Sequence, residues 1–299
     1  MQNPNREKQA YRMYIASLLI VGTIGVVRRY IPLSSGLLAF ARGLIGALSL
    51  VVFVRLRGGR VGHGLPGRKL GALVVTGFAL SFNWMLLFEA YTYTTVATAT
   101  LCYYFAPTIV VLLSPLLFRE RLSTKKLICA GLAVLGMILV SGVLEQESAK
   151  TGQLRGVLFG LGAACFYAVV VILNKKITDI DPYERTIVEL LAAAAAMIPY
   201  LLLTEDFSHL HLDARLLGFV LLVGVVYTGL VYALYFGSIE HLRAQSLAIL
   251  SYLDPVVALL VSALVLGERL SVAGMIGAVL ILGAAVVSEW EPQRGNKSD

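Results

Sequence analysis

One carboxylate in this sequence stands in a stretch that is otherwise almost free of charge. Asp254 directly precedes Pro255 in the run LSYLDPVVALLVSALV, residues 250–265. A carboxylate in such surroundings can bind a solute ammonium group or accept a proton for coupled transport. It can also be satisfied by backbone groups that a proline kink leaves free. The first two interpretations are functional and the third is structural.

Other polar and aromatic residues interrupt further apolar stretches. Arg42 and Glu189 are the remaining charges inside such stretches, where they could contact a solute, pair or extend towards a membrane surface. Aromatic and hydrogen-bonding side chains in one place would suit an amphipathic organic solute. The candidates for this binding role, together with Asp254, are Asn83, Trp84, Tyr103, Ser251 and Tyr252.

The stretches that carry these residues are long enough to cross a lipid bilayer. The chain of 299 residues is 58% hydrophobic and 14% charged, whereas soluble domains are about 45–50% apolar and about 25% charged. A membrane-spanning helix needs about 20 apolar residues and satisfies its own backbone in lipid. The sequence therefore predicts an all-α integral membrane protein with ten spans, at residues 13–27, 34–54, 70–88, 94–118, 126–144, 156–174, 186–204, 215–236, 244–266 and 271–288.

The basic residues predict how the chain is oriented. Lys and Arg favour the cytoplasmic side of short loops. With the N-terminus inside, the inner segments carry 18 of the 25 Lys and Arg residues and the outer segments carry six. We therefore expect a multi-pass protein of the plasma (inner) membrane with both termini in the cytoplasm. Basic cytoplasmic loops then explain the net charge of +7. We expect the chain to interact with the lipid bilayer rather than with nucleic acid.

A nearly copied phrase marks an internal repeat. FRERLS occupies residues 118–123 and LGERLS occupies residues 266–271, 148 residues later. The same offset aligns Pro107 with Pro255 without a gap. We expect these two prolines to bend their helices at equivalent points and to act as hinges, although a simple packing bend would give the same pattern.

The repeat predicts two five-helix units, at residues 11–144 and 154–290. Because five is odd, the second unit would enter the membrane from the opposite side to the first. Inverted repeats of this kind are typical of secondary transporters, in which two similar halves open one central site alternately to each side. An offset of 147 residues matches Arg42 with Glu189, so an ion pair between them is one interpretation.

Matched helix faces in the two units are mildly polar. Both follow the spacing i, i+4, i+7 and i+11, which places four side chains on one face of a helix. They either face a shared cavity or let helices pack closely through small residues. The two faces are Tyr103, Pro107, Val110 and Ser114, and Ser251, Pro255, Ala258 and Ser262.

The segment NWMLLFEAYTYTTVATATLCYYFAPTIVVLLSPLLFRERLS and its partner ending in LGERLSVAGMIGAVLILGAAVVS resemble the paired EamA domains of the drug/metabolite transporter superfamily. The resemblance implies a ten-helix carrier whose cavity is lined by the third, fourth, eighth and ninth helices and the first helix of each half. It places the second helix of each half, with Arg42 or Glu189, at the periphery. Members move amino acids, other small metabolites, nucleotide sugars or drugs, often outward.

The sequence thus favours a carrier of small organic metabolites, especially amino acids, that works by alternating access and exports its cargo. A multidrug or organic-cation carrier and a nucleotide-sugar carrier are the alternatives. An intramembrane enzyme is less favoured, because all four histidines fall in predicted loops and the spans contain no H-E-x-x-H or G-x-S-x-G motif. We expect no cofactor and no metal, and the sequence leaves proton coupling and the oligomeric state open.

Overall fold

The structure is a computed structural model that describes residues 4–62, 65–118, 123–141, 151–177, 179–207, 213–239, 241–242 and 244–289. These residues form helices joined by short connections, and the described part of the chain contains no strand. The helices are α1 (Pro4–Gly22), α2 (Ile24–Arg28), α3 (Ser35–Leu56), α4 (Gly67–Tyr93), α5 (Val96–Tyr103), α6 (Ala106–Phe118), α7 (Thr124–Val140), α8 (Thr151–Lys176), α9 (Pro182–Thr204), α10 (Ala214–Leu221), α11 (Val231–Ile239), α12 (Ala244–Ser251), α13 (Leu253–Val265) and α14 (Val272–Glu289), with a π-helical segment (Leu222–Leu230) between α10 and α11.

Seven helical segments in the described ranges are long and apolar enough to cross a membrane. They are Arg6–Arg28, Ser35–Leu56, Gly67–Tyr93, Val96–Ser114, Gln153–Lys176, Pro182–Thr204 and Ala214–Ile239. Each coincides with one of the predicted spans, which confirms an all-helical membrane protein. The other three predicted spans fall on the shorter helices α7, α12 with α13, and α14. A total of ten crossings therefore stays a prediction.

Side-chain caps fix where several helices begin. Ser34 accepts a hydrogen bond from the Leu37 backbone N–H and starts α3, and Thr95 accepts one from Thr98 and starts α5. Asp181 accepts bonds from the first turn of α9. These caps satisfy backbone donors that have no partner inside the helix. They place the short connections of the chain at polar residues and leave the apolar stretches helical.

Two helices are interrupted at matched positions of the repeat. The first break, at Tyr104 and Phe105, separates α5 from α6, and the second, at Tyr252, separates α12 from α13. Tyr252 lies 148 residues after Tyr104, the offset of the sequence repeat. Pro107 and Pro255 follow the breaks in the first turn of the next helix, where a missing N–H costs little. The interruptions thus precede the prolines, and the hinge role of the prolines stays a prediction.

The helix contacts reflect the duplication. Helix α4 of the first half packs against α8, the first helix of the second half. In the equivalent contact, the π-helical segment and α11 of the second half pack against α1, the first helix of the first half. Helix α6 packs against α8, as its equivalent α13 packs against α1. The pairs α3 with α9 and α7 with α14 join equivalent helices of the two halves. The contacts therefore repeat when the two halves are exchanged, and residues of both halves line a space between them.

Gly77 allows α4 to approach α9 closely. A Cβ atom at Gly77 would lie 2.6 Å from the Ala192 Cβ atom and 3.0 Å from the Ala193 nitrogen. Overpacking of a close contact costs about 1–3 kcal/mol. We expect Gly77→Val to lower the thermal unfolding midpoint of the detergent-solubilised protein by several degrees. Gly71→Val is the matched control on the same helix, because a Cβ atom there meets nothing within 4 Å. Equal midpoints for the two variants would contradict the close packing.

Candidate functional site

A cavity of about 680 Å³ lies between the two halves. Residues from the π-helical segment and from every described helix except α10 line it. The cavity is within the size range of small-molecule sites, about 300–1,000 Å³. Trp84, Tyr103, Ser251, Tyr252 and Asp254, all predicted from the sequence, line it together with Pro107.

Asp254 lies in the first turn of α13, directly after the second helix break. Its Oδ2 atom accepts a hydrogen bond from the hydroxyl of Tyr104, which is the residue at the first helix break. The two matched interruptions thus meet at one carboxylate. Because a carboxylate has two oxygens and about four acceptor positions, this single bond leaves capacity for a cationic donor.

Arg42 is one of three cationic side chains that line the cavity, together with Lys126 and Arg185. Its guanidinium lies 4.1 Å from the centroid of the Trp84 ring, and its Nε atom donates to Thr228 Oγ1 over 3.1 Å. The residue is only 8% exposed. Its two terminal nitrogens have no hydrogen-bond acceptor within the described ranges. Asp254 lines the same cavity and lies within electrostatic range of Arg42.

Two expectations about Arg42 and Glu189 are corrected. Both line the cavity, although the resemblance places their helices at the periphery. The described residues contain no ion pair between them within 4.0 Å, because Arg42 turns towards Trp84 and Thr228. The π-helical segment presents Thr228 to Arg42, and this hydroxyl donates in turn to the Val223 carbonyl over 3.0 Å. A π-helical turn of this kind often marks a functional site.

Asn83 lies apart from the other predicted site residues. Its side-chain nitrogen donates to the carbonyl of Ala163 over 2.7 Å and so joins α4 to α8. The residue is fully buried and is not among those that line the cavity. A role in substrate binding for Asn83 stays a prediction, while its observed contact is with the neighbouring helix.

Tyrosines form much of the remaining wall. The Tyr103 ring centroid lies 5.2 Å from that of Tyr167 and 5.9 Å from that of Tyr104. Tyr232 stacks on Phe236 at 5.8 Å. These contacts give an apolar wall with scattered hydroxyls. Tyr167 was not among the predicted site residues, because its helix has no strong apolar and polar faces in the sequence.

A group of polar contacts surrounds the N-terminus of α5. Glu268 accepts hydrogen bonds from the backbone nitrogens of Val96 and Ala97, at 2.8 and 3.4 Å. Arg29 donates to Glu268 over 3.3 Å and to the Thr94 carbonyl over 2.6 Å. A carboxylate at a helix N-terminus is stabilised by the helix dipole. We call these contacts, made by Arg29, Thr94, Val96, Ala97 and Glu268, the α5 latch.

A second polar cluster lines the cavity in α8 and α9. It comprises Asn174, Arg185 and Glu189, of which only Glu189 was singled out from the sequence. The four-residue spacing of Arg185 and Glu189, which puts both on one helix face, is the signal that could have identified Arg185.

Metal-binding side chains do not cluster in the described part of the chain. No group of three His, Cys, Asp or Glu residues there has the arrangement needed to hold a metal ion. His63, His209 and His211, which the sequence places in loops, lie outside the described residues.

Comparison with known proteins identifies the two repeats. The model of the EamA-like transporter family matches residues 9–142 and again residues 154–289. The match covers most of the chain and confirms the resemblance seen in the sequence. It also agrees with the pairing of helix contacts in the fold.

Individual relatives are also transporters by name. An uncharacterized transporter of Bacillus subtilis, YxxF, is 28% identical over 274 residues, which are 92% of this chain and 87% of that protein. A probable amino-acid metabolite efflux pump of Salmonella typhimurium is 31% identical over 190 residues, 59% of this chain and 61% of that protein. One crystal structure has a TM-score of 0.65 at 22% identity and covers 95% of this chain and 98% of its own, which shows a shared fold.

Proposed function

Because the chain belongs to the EamA-like transporter family, we propose that this membrane transporter exports amino acids or similar small amphipathic metabolites by alternating access. The observation that carries the proposal is the presence of Asp254 and Arg42 in the lining of one aromatic-walled cavity. An ammonium group matches the free capacity of Asp254, and a carboxylate matches the two terminal nitrogens of Arg42. A zwitterionic amino acid supplies both groups in one small molecule.

The energetic cost of these charges supports a functional role. An ionised group at the centre of a bilayer costs roughly 2.5–3.5 kcal/mol on insertion scales, and such groups mark solute pathways in many membrane proteins. Arg42 and Asp254 are both held by neighbouring side chains yet keep hydrogen-bonding capacity towards the cavity. A bound zwitterion would complete their coordination without adding net charge to the cavity.

An organic cation fits these charges less well, because it would pair with Asp254 but would be repelled by Arg42. A nucleotide sugar would bring a diphosphate against Asp254 and Glu189, but also against the cations Arg42, Lys126 and Arg185 that line the same cavity. It therefore serves as the main rival cargo in the counterflow assay. The name of the Salmonella relative, an amino-acid metabolite efflux pump, agrees with the zwitterion assignment.

The proposed mechanism uses the inverted halves. In this mechanism the repeats span residues 11–144 and 154–290, the protein lies in the inner membrane, and both termini are in the cytoplasm. The α5 latch then lies on the outer side of that membrane. The matched interruptions at Tyr104 and Tyr252 would let each half bend at an equivalent point. Rocking of one half against the other would then open the cavity to one side while the latch or its counterpart closes the other. Proton coupling through Asp254 is compatible with this cycle.

We expect the α5 latch to hold the outer side of the protein closed. Glu268→Gln removes the charge that holds Arg29 and the α5 N-terminus, so we expect the outer side to open more often. In a chain whose native cysteines are replaced, Thr100→Cys in the cavity wall should react about threefold to tenfold faster with an impermeant thiol reagent added outside. Glu205→Gln, at the end of α9, is the control carboxylate. An unchanged labelling rate in the Glu268 variant would show that the latch does not hold the outer side closed.

Counterflow in proteoliposomes tests the proposed function. Liposomes preloaded with an unlabelled amino acid should take up the labelled amino acid transiently against its gradient, with saturation and competition. Organic cations and nucleotide sugars serve as rival cargoes, and a pH gradient tests proton coupling. Exchange of only a rival cargo would overturn the assignment of amino acids, and chemical conversion of the solute would indicate an enzyme.

A further inference from the structure

The second polar cluster, Asn174, Arg185 and Glu189, has features that the proposed binding of amino and carboxylate groups does not use. It lines the same cavity as Arg42 and Asp254, but in α8 and α9. Tyr232 also lines the cavity and lies within electrostatic range of both Arg42 and Glu189. A solute held at Arg42 and Asp254 would point its remaining part along the tyrosine wall towards this cluster.

Each side chain of the cluster has a buried polar atom without a hydrogen-bond partner in the described ranges. These atoms are Oδ1 of Asn174, Nε of Arg185 and Oε1 of Glu189. Glu189 is only 5% exposed. An unpaired buried polar group is costly, so nearly all such groups in proteins have partners. Three of them in the wall of one solute-sized cavity are available to form hydrogen bonds with a molecule bound there.

The partners within the cluster do not account for these atoms. Arg185 and Glu189 are four residues apart on α9 and interact electrostatically, yet no nitrogen–oxygen pair between them lies within 4.0 Å. The Asn174 amide lies beside the Glu189 carboxylate. Because a carboxylate only accepts hydrogen bonds, the amide nitrogen must face Glu189, which leaves Asn174 Oδ1 as an acceptor.

The unpaired atoms define the chemistry of the group that would fit. They comprise two acceptors, Asn174 Oδ1 and Glu189 Oε1, and one donor, the Arg185 Nε–H. A primary carboxamide has two N–H donors and one carbonyl acceptor and is their complement. An ammonium group has no acceptor for Arg185, and a carboxylate would face two acceptors. A hydrocarbon side chain would leave all three atoms unpaired.

We propose that Asn174, Arg185 and Glu189 form a subsite that selects amino acids with a carboxamide side chain. The inference rests on the proposed function, because Arg42 and Asp254 hold the amino and carboxylate groups of the same molecule. The long side chains of Arg185 and Glu189 reach the carboxamide by rotation about their χ angles. The transporter therefore prefers glutamine and asparagine over leucine, which fits the cavity but pairs with none of the three atoms.

Counterflow of labelled glutamine and labelled leucine tests the subsite. We expect wild-type protein to exchange glutamine with a half-saturating concentration about tenfold or more below that for leucine. Glu189→Gln replaces the carboxylate with an amide. It should raise the half-saturating concentration for glutamine about tenfold and leave that for leucine unchanged. Asn174→Leu is a second variant with the same expected loss of preference, in case Glu189→Gln does not give monodisperse protein.

Glu184→Gln is the matched control for these variants. Glu184 is a buried carboxylate on the same helix, and it accepts a hydrogen bond from the Gly62 backbone nitrogen outside the cavity lining. Its substitution should leave the preference for glutamine intact. The subsite is overturned if wild-type protein exchanges leucine and glutamine with equal half-saturating concentrations. It is also overturned if Glu189→Gln changes the two half-saturating concentrations equally. Amino-acid transport stands in either case. No exchange of either amino acid overturns both.

Discussion

Asp254→Asn is expected to reduce amino-acid counterflow to the level of empty liposomes. The substitution keeps the size of the side chain and its ability to accept a bond from Tyr104, but it removes the negative charge that would pair with the solute ammonium group. A hydrogen bond to a charged group contributes about 1.5–3 kcal/mol. Its loss therefore corresponds to about a tenfold to hundredfold loss of affinity for the zwitterion.

The measurement compares initial counterflow rates over a range of solute concentrations for wild-type and variant proteins of equal monodispersity. Asp181→Asn is the control, because Asp181 caps α9 outside the cavity and asparagine caps a helix equally well. If proton coupling uses Asp254, the response of the rate to a pH gradient should disappear in the Asp254 variant alone. Unchanged kinetics in Asp254→Asn would refute the role of this carboxylate.

Arg42→Met is expected to abolish the preference for an amino acid with a free carboxylate over its methyl ester. In the wild-type protein the two terminal guanidinium nitrogens can hold a carboxylate in a bidentate contact. An amino-acid methyl ester, which lacks the charge, should therefore compete about tenfold to hundredfold less well than the parent amino acid. Methionine fills the space above Trp84 without the charge. The variant should bind amino acid and ester with similar, weak affinity.

Competition by the amino acid and by its methyl ester in the same counterflow assay measures this effect. Arg215→Met is the matched control, because the Arg215 guanidinium also lies over an aromatic ring, 5.8 Å from the Phe219 centroid, but outside the cavity lining. Arg42→Lys should give an intermediate result, since lysine keeps the charge but loses the bidentate geometry and the bond to Thr228. Retained preference for the free carboxylate in Arg42→Met would contradict the assignment.

Much of the helical framework was predictable because its signals are local. Apolar length predicts a membrane helix directly, since lipid forces the backbone to satisfy itself. The repeat offset also predicted that Pro107 and Pro255 would be equivalent. It did not predict that the interruptions would fall before them, at Tyr104 and Tyr252, because proline is tolerated in the first helical turn as well as at a kink.

The details of the site depend on contacts between distant helices, which a single sequence does not specify. Asp254 was predicted to face a cavity from the cost of a charge in lipid, and it lines the cavity. The direction of Arg42 could not be predicted, because it depends on Trp84 and on a π-helical turn that presents Thr228 from the other half. Asn83 is polar and intramembrane by the same criteria as Asp254, yet its observed partner is the Ala163 backbone.

The inverted arrangement of the two halves is the central claim, and labelling of loop cysteines tests it most directly. In a chain whose native cysteines are replaced, Gly59→Cys lies between α3 and α4, and Arg155→Cys lies near the start of α8. An impermeant maleimide applied to intact cells should label only the Arg155 variant, and after lysis it should label both. Labelling of both variants in intact cells, or of neither, would place the two positions on one side of the membrane and contradict the inversion.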